Sequence, residues 1–248
     1  MMNYLTNFIR ILFFFQFLFN EIICQVQLFY EPEGREQHSA VILNRKLYIS
    51  GGTYVNEQGP TKGLRKEFFY YDLSTPSEIT GKVGWQEPIG IIDIPPPYYG
   101  AAVVSGGVNK NELFLFGGIV KNTLADTPSP LLYVFNEQQN SWSTPTTTGI
   151  EPPRRNNIQA VIDENGKMYL FGGSDLRTTY NSMDILDTIN LIWSKGNDIG
   201  APSPRVFYSA TLLADGNILY IGGQTDPQTG TYVPLSSVSI FYTTMTYF

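Results

Sequence analysis

Apolar and polar positions along this chain recur as a phrase. Four times a second apolar run ends in two glycines: "LYISGG" at 47–52, "LFLFGG" at 113–118, "MYLFGG" at 168–173 and "ILYIGG" at 218–223. Ahead of these stand first apolar runs at 40–43, 101–104, 158–162 and 208–213, joined to them by "NRK", a glycine-containing loop at 105–111, "DENGK" and "ADGN". Asn, Asp and Gly accept the left-handed dihedrals of tight turns, so each phrase predicts a β-hairpin. A loop of variable length follows each glycine pair, and then a third run: "EFFYYDL", "LLYVFN", "SMDILDT" and "SVSIFYT". Tryptophan closes three of the units. Trp142 lies six residues after Asn136 and Trp193 six after Asp187, whereas Trp85 lies thirteen after Asp72, so the first unit carries an insertion. The links "PPPYYG", "EPPRRN" and "APSPRV" contain proline, which stops a strand from running on.

Four short strands per unit, with glycine pairs 66, 55 and 50 residues apart, predict the four-stranded blades of a β-propeller. A single blade cannot bury both of its faces, so neighbours must stack on it, and that is the physical reason for the repetition. The pairs Gly51–Gly52, Gly117–Gly118, Gly172–Gly173 and Gly222–Gly223 mark places where a side chain would obstruct converging blades. Trp85, Trp142 and Trp193 are expected to fill the space between sheets. Arg35, Arg154 and Arg205 stand ahead of the first strands of three units, the second having none, and are expected to tie one blade's backbone to the next. The spacing and motifs resemble the kelch repeat: glycines after the second strand, an aromatic and Asp in the third, a Trp in the fourth. One departure is Tyr220, which sits one place away from the position of Tyr48 and Tyr169. The resemblance covers the chain from about Arg35 onward and implies a ring of six or seven blades. Four four-stranded blades are expected here, near residues 35–86, 98–143, 154–194 and 205–248. Matching the last two units by their third runs sets Phe248 opposite Trp193, so the fourth blade is expected to be incomplete at its C-terminal side.

Composition narrows the reading. Hydrophobic residues make up 42% of the 248 and charged residues 15%, which is enough apolar material for a large core. The net charge of −6 argues against a nucleic-acid or anionic-membrane partner. The nine-residue run "ILFFFQFLF" at 11–19, between Arg10 and Glu21, falls short of the ~20 apolar residues that cross a bilayer. Residues 1–24 therefore read as a secretory signal peptide, leaving 25–248 as a secreted chain. Cys24 is the sole cysteine, so a chain cut there holds no disulfide. A membrane tether is expected only if a longer protein supplies a helix further on, as in a receptor ectodomain.

Chemistry is mostly excluded. The resemblance brings in the galactose oxidase-like copper radical oxidases, which bind copper through two histidines and two tyrosines, one crosslinked to a cysteine. A chain with one histidine, His38, and one cysteine has no such set. No catalytic residue, metal or cofactor is expected, and an oxidase-like domain without its ligands stands as the alternative. His38 leads into a strand and reads as a structural or exposed residue, Ser105–Asn111 as a hairpin loop rather than an anion nest, and Asp184 and Asp187 as opposite-facing in one strand. Glu31 and Glu33 lie in a proline-containing lead-in, where a glycosidase pair is not expected. What remains is binding. Loops at 53–66, 119–129, 174–181 and 224–236 share one face of the disc with the links, and Arg177, Tyr180, Tyr54 and Tyr232 are the candidate contacts for a protein or glycan ligand. Self-association through the open fourth blade is the other expected partnership.

Overall fold

A computed structural model describes residues 30–55, 62–64, 66–74, 84–120, 129–197, 201–226 and 229–243. The expected signal segment, Cys24 and Phe248 lie outside them. The described residues are all strand, turn and loop, arranged as four blades of a β-propeller.

Each blade is an antiparallel meander whose first strand is innermost. Blade 1 runs Ser39–Leu43, Lys46–Ser50, Phe68–Asp72 and Trp85–Gln86. Blade 2 runs Tyr98–Gly106, Glu112–Val120, Leu132–Asn136 and Ser141–Ser143. Its hairpin is longer than the apolar runs suggest, because pairing continues through the glycines to Tyr98 opposite Val120. Blade 3 is built from Ala160–Ile162, Lys167–Phe171, Met183–Asp187 and Ile192–Lys195. Blade 4 shows three strands among the described residues, Ser209–Leu212, Ile218–Ile221 and Ser239–Phe241, and its expected fourth falls beyond them.

Alternation along each strand sends one set of side chains toward the preceding blade and the other toward the next. Tyr48 and Phe68 reach forward onto Phe135 of blade 2, at ring separations of 5.8 and 4.8 Å. Trp142 reaches back, 5.1 Å from Phe68, and Trp193 lies 5.5 Å from Phe116. Both tryptophans are 2% exposed, so they fill the space between sheets as their recurrence implies. Trp85 stands against Phe69 and Tyr71 of its own sheet. At the far end of the disc, Glu137 of blade 2 accepts hydrogen bonds from Asn44, Lys46 and Tyr48 of blade 1, at 2.5, 2.9 and 2.8 Å.

The links do more than connect. Before entering blade 3, Thr148–Gly149 pairs in parallel with Ile192–Trp193 and gives that blade a fifth strand. Ile92 makes a single parallel bridge beside Ser141 of blade 2, its carbonyl accepting from the Trp142 N–H at 3.2 Å. Tyr30 bridges Trp85 at the edge of blade 1. Each outer strand described is therefore covered by the segment that precedes its own blade, which removes an edge open to pairing.

Two of the sequence readings resolve as ordinary structure. Ser105–Asn111 contains a turn closed by the Lys110 N–H on the Gly107 carbonyl at 3.1 Å, a hairpin rather than an anion nest. Asp184 and Asp187 face opposite ways: Asp184 is 1% exposed and accepts from Arg155 and Lys195, while Asp187 accepts from the Ile189 and Asn190 amides at a surface turn.

Candidate functional site

The glycine pairs build the centre of the molecule. In blades 1, 2 and 3 the second glycine donates its N–H to a carbonyl of the next blade: Gly52 to Tyr98 at 2.8 Å, Gly118 to Arg155 at 2.8 Å and Gly173 to Arg205 at 2.9 Å. A Cβ on the first glycine would strike that same carbonyl, at 2.7 Å for Gly51 and 2.6 Å for Gly172. Both glycines also hold positive φ, so the pair is a conformational need and a docking seat together.

These contacts correct the expected arginine register. Arg35, Arg155 and Arg205 occupy equivalent places, each donating Nη1 to the carbonyl of its own blade's first glycine, Gly51, Gly172 and Gly222, at 3.1, 2.9 and 3.5 Å. Arg154 is not the repeat residue. It reaches back to the Gly117, Gly118, Ser129 and Pro130 carbonyls of blade 2, which is the inter-blade tie expected of the set. In blade 2 the arginine position is filled by Tyr98, whose ring packs on Gly51. The charges differ in their partners. Arg35 pairs with Glu67 and Arg155 with Asp184, but Arg205, 1% exposed, has no carboxylate partner among the described residues.

Two residues beyond each of these positions the backbone turns left-handed: Gln37, Gly100, Asn157 and Phe207, with φ of 56°, 68°, 55° and 55°. They form a ladder around the axis. The Gly100 N–H donates to the Gln37 carbonyl at 2.8 Å, Asn157 to Gly100 at 2.8 Å and Phe207 to Asn157 at 3.1 Å. Inside this ladder lies a cavity of about 170 Å³, lined by those four residues with His38, Ala101, Ile158, Gln159 and Tyr208. Its polar wall is a relay of amides: Gln37 Nε2 donates to Asn157 Oδ1 at 3.0 Å, and Asn157 Nδ2 to Asn156 Oδ1 at 2.7 Å. Partial burial and the nearby charge of Arg35 lower the pKa of His38, so it is neutral at pH 7. Phe207 is 48% exposed at the mouth. The cavity wall thus carries no formal charge.

The four loop residues singled out from sequence surround this mouth rather than line it. Tyr54 sits half-buried opposite Arg35 in a short rim sheet. Arg177 is exposed on a turn in which Asp175 accepts from its N–H at 2.9 Å. The Tyr180 hydroxyl donates to the same Asp175 at 3.0 Å, and its ring lies 4.3 Å from the Arg155 guanidinium. Tyr180 is therefore a cover for a buried cation, and only Arg177 and Tyr232, the latter 74% exposed, project freely from the rim. Of the cavity residues the sequence reading named His38, as structural or exposed, and missed the four of the ladder. Their one shared sequence signal is position, two residues after the repeat arginine in blades 1, 3 and 4. Among the described residues no group of three His, Cys, Asp or Glu stands close enough to hold a metal ion.

The family model of the KLHDC2/KLHL20/DRC7 Kelch-repeats domain matches residues 37–247. Acyl-CoA-binding domain-containing protein 4 of Arabidopsis thaliana is 28% identical over 197 residues, covering 77% of this chain and 28% of that protein. Kelch domain-containing protein 3 of Rattus norvegicus is 30% identical over 201 residues, covering 77% and 49%. The Leucine-zipper-like transcriptional regulator 1 homolog of Drosophila melanogaster is 25% identical over 207 residues, covering 79% and 19%. The chain spans less than half the length of these curated relatives.

Proposed function

The chain belongs to the kelch-repeat family, and from that premise we propose that it is a protein-interaction module that receives a segment of its partner at the axial mouth. Kelch propellers generally bind proteins, and among the described residues the cavity is lined by amides, apolar side chains, one histidine and one tyrosine, a wall suited to holding a peptide backbone.

Phe207 carries the proposal. A bulky aromatic at φ 55° pays backbone strain, of order 1–3 kcal/mol, that the equivalent Gly100 and Asn157 hold easily. It is nonetheless half exposed over a neutral, amide-lined cavity. Strain of this kind is retained where a side chain has work to do, and an exposed aromatic beside a concave polar wall is the anchor a peptide segment needs. Arg177 and Tyr232 on the rim supply polar and aromatic contacts around it. The secretory reading of residues 1–24 places this binding outside the cell.

The test is selection of peptides from a displayed library on the wild-type chain, followed by titration against Phe207→Asn. Asn suits the left-handed backbone, so the variant should melt at or above the wild-type temperature while binding the recovered peptides at least ten-fold more weakly. Undiminished binding would remove the mouth from the interface. Recovery of glycan ligands from an array, with no peptide, would replace a protein partner by a carbohydrate one.

A further inference from the structure

The link into blade 4 ends on a buried cation that its equivalents neutralise and this one does not. Arg35 is paired with Glu67, and Arg155 with Asp184. Both acids belong to the arginine's own blade, so the comparison can be made within blade 4 itself. Asp184 lies opposite Leu170 and Ser239 opposite Tyr220, so Ser239 stands in the carboxylate's place and Ser237 in that of Ser182. Arg205 bonds to neither. Its Nε donates to the Ser203 carbonyl at 3.2 Å, Nη2 to the Ser203 Oγ at 3.2 Å and Nη1 to the Gly222 carbonyl at 3.5 Å. Those three neutral oxygens leave an N–H on each Nη without an acceptor among the described residues. Burial lowers the pKa of Arg155 and Arg205 alike. Asp184 opposes the shift at Arg155, whereas at Arg205 the opposing groups are the Tyr208 and Tyr220 hydroxyls, which burial keeps protonated.

The one hydroxyl on this guanidinium is within reach of solvent. Ser203 is exposed while Arg205 is 1% exposed, so the Oγ sits at the surface end of a buried charge. Pro202 and Pro204 flank it, and among the described residues the segment 201–204 makes no backbone-to-backbone hydrogen bond. Such a segment can enter an enzyme's cleft without breaking a strand.

We propose that Ser203 is a phosphorylation site whose phosphate takes the carboxylate's place on Arg205. In the step itself the Ser203 Oγ attacks the γ-phosphorus of ATP, the bond from that phosphorus to the bridging oxygen breaks, ADP leaves, and the hydroxyl proton passes to the kinase's base. The donor is a nucleoside triphosphate, so the step precedes any export of the chain. The product carries a charge of about −1.5 to −2 and terminal oxygens one bond beyond an Oγ that already touches Nη2. Those oxygens meet the two N–H groups left over and form the forked pair that guanidinium and phosphate prefer. The modification therefore ties the link to the buried arginine and completes in blade 4 the ion pair of blades 1 and 3.

The experiment has two parts. The chain is purified from the cells that naturally produce it and cut with trypsin, and the peptide 196–205, "GNDIGAPSPR", is weighed. Its only hydroxyl-bearing residue is Ser203, so the added mass of one phosphoryl group assigns the site at once. The full 248-residue chain is then made with phosphoserine encoded at position 203. Its melting temperature should rise by about 3–6 °C over the unmodified chain. In phosphorus NMR its second pKa should fall from about 6 to below about 5.5, and return to about 6 in denaturant. Arg205→Lys keeps the charge and loses the fork, so in that background the thermal gain should drop by at least half. A native peptide without phosphate overturns the proposal, as does a phosphoserine that titrates like a solvated one or a gain that Arg205→Lys leaves intact. The titration needs no substitution at Arg205, so the test stands even if that variant does not fold. None of these readouts depends on peptide binding at the axial mouth.

Discussion

Adding one methyl group at equivalent glycines measures what the inter-blade seat contributes. Gly172→Ala and Gly222→Ala both place an L-residue at φ near 70°, which costs each about 1–2 kcal/mol of backbone strain. Only the first meets a neighbour. Its Cβ stands 2.6 Å from the Arg205 carbonyl, where ordinary contact begins at 3.4 Å, so blades 3 and 4 must part by 0.8 Å, the difference. Overpacking of this kind costs about 1–3 kcal/mol. The same movement stretches the 2.9 Å hydrogen bond from Gly173 to Arg205, worth about 1 kcal/mol net. Gly172→Ala should therefore lose about 3–6 kcal/mol and Gly222→Ala about 1–2, because among the described residues the latter touches only a movable leucine methyl. For a chain of this size the gap of roughly 2–4 kcal/mol separates the two melting temperatures by about 4–16 °C. Thermal unfolding followed by tryptophan fluorescence reads it directly, at a concentration where the chain is monomeric. Equal melting temperatures would show that backbone conformation alone explains the glycines and that the seat has no energetic weight.

Two further outcomes follow from the charges. Ser239 occupies in blade 4 the place of Asp184 in blade 3, each opposite the same position of its second strand, so Ser239→Asp supplies the carboxylate that Arg205 lacks. A gain of about 1 kcal/mol, or ~2–4 °C in melting temperature, is expected, and a loss would mean that the surrounding carbonyl and serine oxygens already satisfy the guanidinium. Glu137 tests the other face of the disc. Burial acts to raise its pKa, but the hydrogen bonds from Asn44, Lys46 and Tyr48 prevail and hold it below the ordinary value of 4.5. A depressed carboxylate stabilises the fold above that value and stops doing so as pH falls through its folded pKa. The melting-temperature gap between wild type and Glu137→Gln should accordingly be steady near neutrality and close as the solution is acidified below about pH 4.5. A gap that persists in acid would assign the interaction to neutral hydrogen bonding.

The repeat was legible because its signals are local. Hairpin turns, glycine pairs and tryptophans each sit within a few residues of the strands they govern, and the blades formed where the apolar runs fell. Register was harder. Arg154 and Arg155 are adjacent and chemically identical, so only the direction of each guanidinium, toward the preceding blade or along its own, distinguishes them. The tyrosine that replaces the arginine in blade 2 left no trace to align. Thr148–Gly149 sits in a polar stretch with no strand pattern, and its pairing with Ile192–Trp193 is dictated by the edge it covers. The axial cavity was hidden for a different reason. It takes one position from each of four units, and those positions hold Gln, Gly, Asn and Phe. They share a backbone conformation and no side-chain chemistry, so no motif in the sequence announces them.

The overlap of links with outer strands has a consequence for how such a chain can be rearranged. Ile92 belongs in space to blade 2 and Thr148–Gly149 to blade 3, although both precede the innermost strand of their blade. The portable cassette therefore begins just after one tryptophan strand and ends with the next, near residues 87–143 for the second unit, rather than where its first strand starts. A graft, duplication or exon boundary placed there carries each sheet together with its own edge guard. One placed at Tyr98 would leave the guard behind on the wrong neighbour and the transplanted sheet bare.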